Sequence, residues 1–110
     1  MKLPADSYIA KDKLIRYLLV PRVHGDKSAF LAQGGYTLRN ADSLFQDLRL
    51  QILSLDAQKL ESNQFGQYYE IRGTLTGPNG ETLAVRTIWM TDHLSGITKF
   101  VTLIPDKGKN

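Results

Sequence analysis

The sequence contains no cysteine, which removes disulfides, thiolate metal sites and cysteine nucleophiles together and suits a reducing compartment. Imidazoles are nearly absent: His24 and His93 are the only two. Neither has a cluster of His, Cys or carboxylates at ligand spacing, so no metal and no cofactor is expected. There is no long hydrophobic run. The longest apolar stretch, Leu14 to Val23, is broken by Arg16, Pro21 and Arg22, too short and too charged to span a bilayer. Pro4 and Asp6 occupy the place of a signal peptide's apolar segment, so a cytoplasmic chain without a membrane segment is expected. A phosphate-cradling glycine loop is missing too, because Gly34-Gly35 follows a helical pattern and Gly77 to Gly80 reads as a hairpin. No nucleophile elbow, internal repeat or long linker is present.

What remains is a chain of 110 residues with 42% hydrophobic content, enough for one core. A single domain over 1–110 is expected, with a frayed tail at 106–110. The net charge of +3 is unevenly spread: residues 1–30 carry six Lys/Arg against three Asp. A basic N-terminal third suits phosphate or an acidic partner protein, or simply a solvated surface.

Periodicity predicts helices first and strands afterwards. From Lys11, Leu14, Ile15, Leu18 and Leu19 form one apolar stripe, stopped by Pro21. Asp26 is placed to cap a second, short helix through Leu31, ended by Gly34-Gly35. Asn40 or Asp42 is placed to cap a third, with Leu44, Phe45, Leu48, Ile52 and Leu55 at helical spacing. After Asp56, β-formers recur at Gln58–Leu60, Gln67–Leu75, Thr82–Thr91 and Ile97–Ile104, with Asn79-Gly80 as a tight-turn signal. The expected fold is α+β: about three N-terminal helices packed on one face of a C-terminal four-stranded antiparallel β-meander.

A hairpin loop of even length would place Tyr68, Glu70, Arg72 and Thr74 on one sheet face with Val85, Thr87 and Trp89, and add Phe100, Thr102 and Ile104. Tyr69, Ile71, Leu75, Ala84, Ile88, Met90, Val101 and Leu103 would then form the apolar face under the helices, with Arg86 on the apolar side. The polar face offers Arg72 as an oxyanion binder and Glu70 as a base or orienter. It also offers Thr87 and Thr102 as donors, and Tyr68 and Trp89 as stacking platforms. An ordinary wet sheet face explains the same residues. His24 lies in a basic loop beside Arg22 and Lys27, where an imidazole suits proton transfer and a lysine suits charge on a phosphoryl group. His93 reads as a turn residue.

Leu3-Pro4-Ala5, Lys13-Leu14-x-x-Tyr17-Leu18-Leu19, Asp26-Lys27-Ser28-Ala29-Phe30, Gly77-Pro78-Asn79-Gly80, Val85-Arg86-Thr87-Ile88-Trp89 and Phe100-Val101-Thr102-Leu103-Ile104-Pro105 form an ordered set. Together they resemble the small bacterial domains known as domain of unknown function 6883, over nearly the whole chain. Members of that family look like the nuclease fold of barnase, EndoU, colicin D and RelE, and some resemble toxins of toxin and antitoxin pairs. The resemblance implies metal-independent RNA cleavage by 2′-hydroxyl attack, with His24, Lys27, Arg86, Thr87 and Thr102 as catalytic candidates and Tyr68, Arg72 and Trp89 as substrate-binding candidates. It also implies RNA and a small cognate antitoxin or neighbouring-gene protein as partners. In many toxin-like relatives the histidine precedes the lysine by a longer segment than His24-Gly25-Asp26-Lys27. The alternative from a different class is a non-catalytic adaptor that holds a protein partner on Tyr68, Arg72, Trp89 and Thr102.

Overall fold

The computed structural model describes residues 1–23 and 27–107. Among the described residues, three helices precede a four-stranded antiparallel sheet of order β1-β2-β3-β4, the α+β meander expected. No helix is long and apolar enough to cross a membrane among the described residues.

Helix α1 covers 11–18, α-helical at Lys11–Lys13 and π-helical at Leu14–Leu18. Its wide last turn closes through the Leu19 N–H donating to the Leu14 carbonyl, and Leu14, Leu18 and Leu19 are buried while Ile15 is exposed. Helix α2, Ser28–Ala32, ends as expected: the N–H groups of Gly34 and Gly35 donate to Leu31 and Ala32, and Gly35 takes a φ of 91°. The cap expected of Asp26 lies outside the described residues.

Helix α3 covers 38–52, as a 3-10 turn Leu38–Asn40, an α-helix Ala41–Asp47 and a π-helical turn Leu48–Ile52. Asn40 holds the N-cap position of the α-helical part as expected but makes no side-chain cap there; the side-chain cap is Thr37, ahead of the 3-10 turn, and Asp42 lies within the helix. The Thr37 hydroxyl accepts from the Arg39 N–H, and the Asn40 side chain accepts from the Thr37 N–H at 2.7 Å. The helix thus starts nearly two turns before its first buried leucine, Leu44, because a reciprocal capping box satisfies its first N–H groups there. Leu55 lies beyond the helix end, partly exposed.

The strands are β1 (Gln58–Ser62), β2 (Gly66–Thr76), β3 (Thr82–Asp92) and β4 (Thr98–Pro105), close to their expected bounds. Their register corrects the expected faces. Thr76 pairs with Thr82, so residues 77–81 form a loop of odd length, and Tyr69, Ile71, Gly73 and Leu75 stand opposite Trp89, Thr87, Val85 and Leu83. A bulge between Phe100 and Thr102 on β4 shifts the register once more, opposite Ile88 and Trp89. The face under the helices therefore carries Ile71, Leu75, Leu83, Val85, Thr87, Trp89, Phe100 and Leu103, packed with Leu14, Leu18, Leu31, Tyr36, Leu44, Leu48 and Ile52. Ile71 and Leu103 are where the pattern put them. Ile88 and Met90 are on the other face, and Arg86 moves out of the apolar side.

The loop is odd because of how it docks. Gly77 passes so near the loop after α2 that a Cβ there would sit 1.8 Å from the Gly34 carbonyl oxygen, and Asn79 Nδ2 donates to the Gln33 carbonyl at 3.0 Å. Beside it the buried Tyr36 hydroxyl donates to Asp47 at 2.7 Å; burial, reinforced by that carboxylate, pushes the phenol well above its ordinary pKa. Gly77→Ala is expected to cost about 1–3 kcal/mol of unfolding free energy in a urea titration, the range for forced overpacking.

Candidate functional site

One sheet face carries the helices and the other does not, so the side chains on the second face decide what the surface can bind. Three rows run across it: Tyr68–Met90–Lys99, Glu70–Ile88–Thr102 and Arg72–Arg86–Ile104. Alternation along each strand puts residues two apart on this side, about 7 Å from row to row.

Glu70 is the pivot. It is only 6% exposed, and it lies under two guanidinium groups. Arg86 donates to Glu70 Oε2 from Nε at 2.6 Å and from Nη2 at 2.5 Å. Arg72 Nε stands 3.5 Å from Oε1 and 4.0 Å from Asp106, whose backbone N–H donates to the Ala84 carbonyl. A buried carboxylate needs such partners, since leaving it unpaired would cost several kcal/mol.

Lys27 reaches the same face from the start of α2. Its Nζ donates to Thr102 Oγ1 at 3.2 Å, joining residues 75 apart in sequence, and lies 5.9 Å from the Tyr17 ring. The Arg22 guanidinium sits 4.5 Å from the same ring. The helix is only one turn long, so the lysine side chain and not the helix end supplies positive charge here. Lys27, Arg72 and Arg86 against Glu70 and Asp106, three less two, leave the cluster one unit positive.

Of the residues expected from sequence, Lys27, Tyr68, Arg72, Arg86 and Thr102 share this face. Thr87 and Trp89 do not. Both are 0% exposed: Trp89 Nε1 donates to Thr87 Oγ1 at 2.8 Å, Thr87 Oγ1 donates to the Ile71 carbonyl, and the indole meets Phe100 edge-on at 5.3 Å. They satisfy one another inside the core and cannot orient or stack on a ligand. His24 lies outside the described residues. His93 is exposed, with Nε2 3.0 Å from the Asn63 carbonyl and its N–H donating to Phe65, which ties two turns together.

Asp106 follows a proline in what reads as a frayed tail, yet its main-chain bond to Ala84 keeps it on the sheet, and its even spacing from Thr102 and Ile104 is the sequence signal for that. No group of three or more His, Cys, Asp or Glu that could hold a metal ion occurs among the described residues. A cleft of about 660 Å³ lies elsewhere, between Pro4–Tyr8 and 95–99. Its Ser7 hydroxyl donates to Pro4, and Asp92 accepts from the Leu94 and Ser95 N–H groups, so these polar groups are already engaged.

Residues 3–107 match the family model described as Domain of unknown function (DUF6883). No curated protein and no solved structure gives a significant match.

Glu70→Gln is expected to lower the unfolding free energy by about 1–3 kcal/mol, because two arginines lose their counter-charge. The double variant with Arg86→Met should lose less than the sum of the two single changes, and parallel urea titrations read that coupling.

Proposed function

The chain belongs to the DUF6883 family, and on that footing we propose that it is a metal-independent ribonuclease acting on the open sheet face. The observation that carries this is the meeting of Lys27 and Thr102 with the Glu70–Arg86–Arg72 cluster on one surface. Cleavage of RNA by its own 2′-hydroxyl needs a base, cations for a phosphorane that gains negative charge, and an acid for the leaving oxygen.

Glu70 is the base. Arg86 engages Oε2 twice, whereas Oε1 has, among the described residues, the longer approach of Arg72 and is the oxygen placed to take a proton. The 2′-oxygen then bonds to phosphorus, the bond from phosphorus to the 5′-oxygen breaks, and that oxygen takes a proton. His24, three residues before Lys27 in the chain, is assigned the donor role on sequence grounds alone. Lys27 and Arg86 stabilise the phosphorane, and Thr102 holds the lysine in place. The products are a 2′,3′-cyclic phosphate and a 5′-hydroxyl end. A neutralising partner for such a surface would be acidic. The adaptor alternative loses its principal ring, since Trp89 is fully buried.

Purified protein is expected to cut single-stranded RNA in excess EDTA, leaving ends that mass spectrometry identifies as cyclic phosphate. Lys27→Ala and Arg86→Ala should each lower kcat/KM on the order of 10²–10³-fold, and Glu70→Gln on the order of 10²–10⁴-fold. RNA left intact by the wild-type protein, or cleaved equally well by Glu70→Gln, would sink the assignment.

A further inference from the structure

Beside the charged cluster the same face turns apolar. Tyr68, Met90 and Lys99 form the adjoining row, and a cleft of about 500 Å³ opens over it against the segment that precedes α1. That volume is within the range of small-ligand sites. Met90 is 6% exposed yet stands apart from the helix-packed core. Around it the cleft is lined by Tyr68, by Tyr8 and Phe65, which are 59% and 62% exposed, and by Lys13 and Lys99.

The backbone explains neither exposed ring. Tyr8 joins β4 through its main chain alone, its N–H donating to Thr98 and its carbonyl accepting from Phe100, both at 2.8 Å. Phe65 sits in a turn held by the Asn63 side chain, which accepts its N–H at 2.8 Å. Main-chain bonds therefore do not account for either ring, and an aromatic ring more than half in water carries an unspent hydrophobic contribution. Asp92 also lines the cleft, with its carboxylate held below the usual range by the N–H groups of Ser95 and Leu94.

We propose that this cleft is a nucleobase subsite, taking one unstacked base of a single strand whose phosphate lies over Lys27 and Arg86. The proposal rests on the phosphodiester assignment of the adjoining cluster for the phosphate's position. Aromatic faces flanked by cations are what single-stranded nucleic acid requires, because every base has a π-face and every link a negative charge. The cleft's row borders the Glu70–Ile88–Thr102 row, about 7 Å away, where Lys27 bonds Thr102 and the guanidinium of Arg86, rooted one row further on, reaches back to Glu70. That suits the separation of a nucleotide's base from its phosphate.

The test uses binding, so that it does not depend on cleavage. A fluorescein-labelled 2′-deoxy hexanucleotide, which has no attacking hydroxyl, is titrated with the full chain by fluorescence anisotropy, beside an abasic phosphodiester oligomer of equal length. The base-bearing oligomer should bind about tenfold or more tighter than the abasic one. Tyr68→Ala should erase that difference, as should Phe65→Ala, whose exposed position spares the fold, while Lys27→Ala should weaken both oligomers alike. Equal affinity for the two oligomers in the wild-type protein, or binding of neither, overturns the subsite. A base preference unchanged in both aromatic variants also overturns it. A base preference lost in those variants, in a protein that leaves RNA uncut, upholds the subsite and refutes the ribonuclease.

Discussion

The close passage of Gly77 against Gly34 sets the register of the β2–β3 hairpin, because the connection must leave β2 early enough to slide under the loop that follows α2. Only a residue without a side chain fits there. With residues 77–81 committed to that contact, Thr76 faces Thr82, and every side chain of the hairpin is assigned to a face. Trp89 turns inward to meet Phe100, and Arg86 turns outward to meet Glu70. A loop one residue shorter would bury the arginine and expose the indole. The chemistry of the open face is thus decided by a steric contact at the far end of the hairpin.

That dependence explains what could be read from sequence. The helix stripe Leu44, Leu48 and Ile52 and the four β-rich runs carry their own periodicity, so the elements were legible. Which strand face pairs with which is non-local: it turns on the length of a loop whose glycine answers to a residue 43 positions earlier, 77 less 34. The bulge at Val101 is equally silent in the pattern: it leaves Phe100 beside Trp89 in the core while Thr102, two residues on, lies on the open face. Lys27, Arg86, Thr102, Arg72 and Tyr68 could be named because their chemistry is unusual wherever they fall. Thr87 and Trp89 differ, because a threonine and a tryptophan that satisfy each other in the core look, in sequence, like donors awaiting a ligand. Asp106 was hidden by its place near the terminus.

The open face combines two environments that are costly apart. A carboxylate held at 6% exposure is tolerable because Arg86 and Arg72 lie over it, and the guanidiniums are held in place by that carboxylate in turn. Such mutual bracing fixes charge before any ligand arrives, which is how a site avoids reorganisation when negative charge develops. The neighbouring row around Met90 is apolar and edged by lysines. Strands β2, β3 and β4 supply the floor of both halves, and the lead-in, the β1–β2 turn and the start of α2 add Tyr8, Phe65 and Lys27 at the rim.

The pairing of Tyr8 with β4 has a consequence for how copies of this chain meet. The lead-in covers the start of the β4 edge through hydrogen bonds to Thr98 and Phe100. The opposite edge belongs to β1, five residues long, which carries Lys59 and Glu61 and is irregular in its pairing with β2. A short, charged and broken rim offers a poor template for a strand from another molecule. The β1 rim and the start of the β4 rim are thus guarded, and the stretch of β4 beyond Phe100 is the part of the border left for another strand to meet.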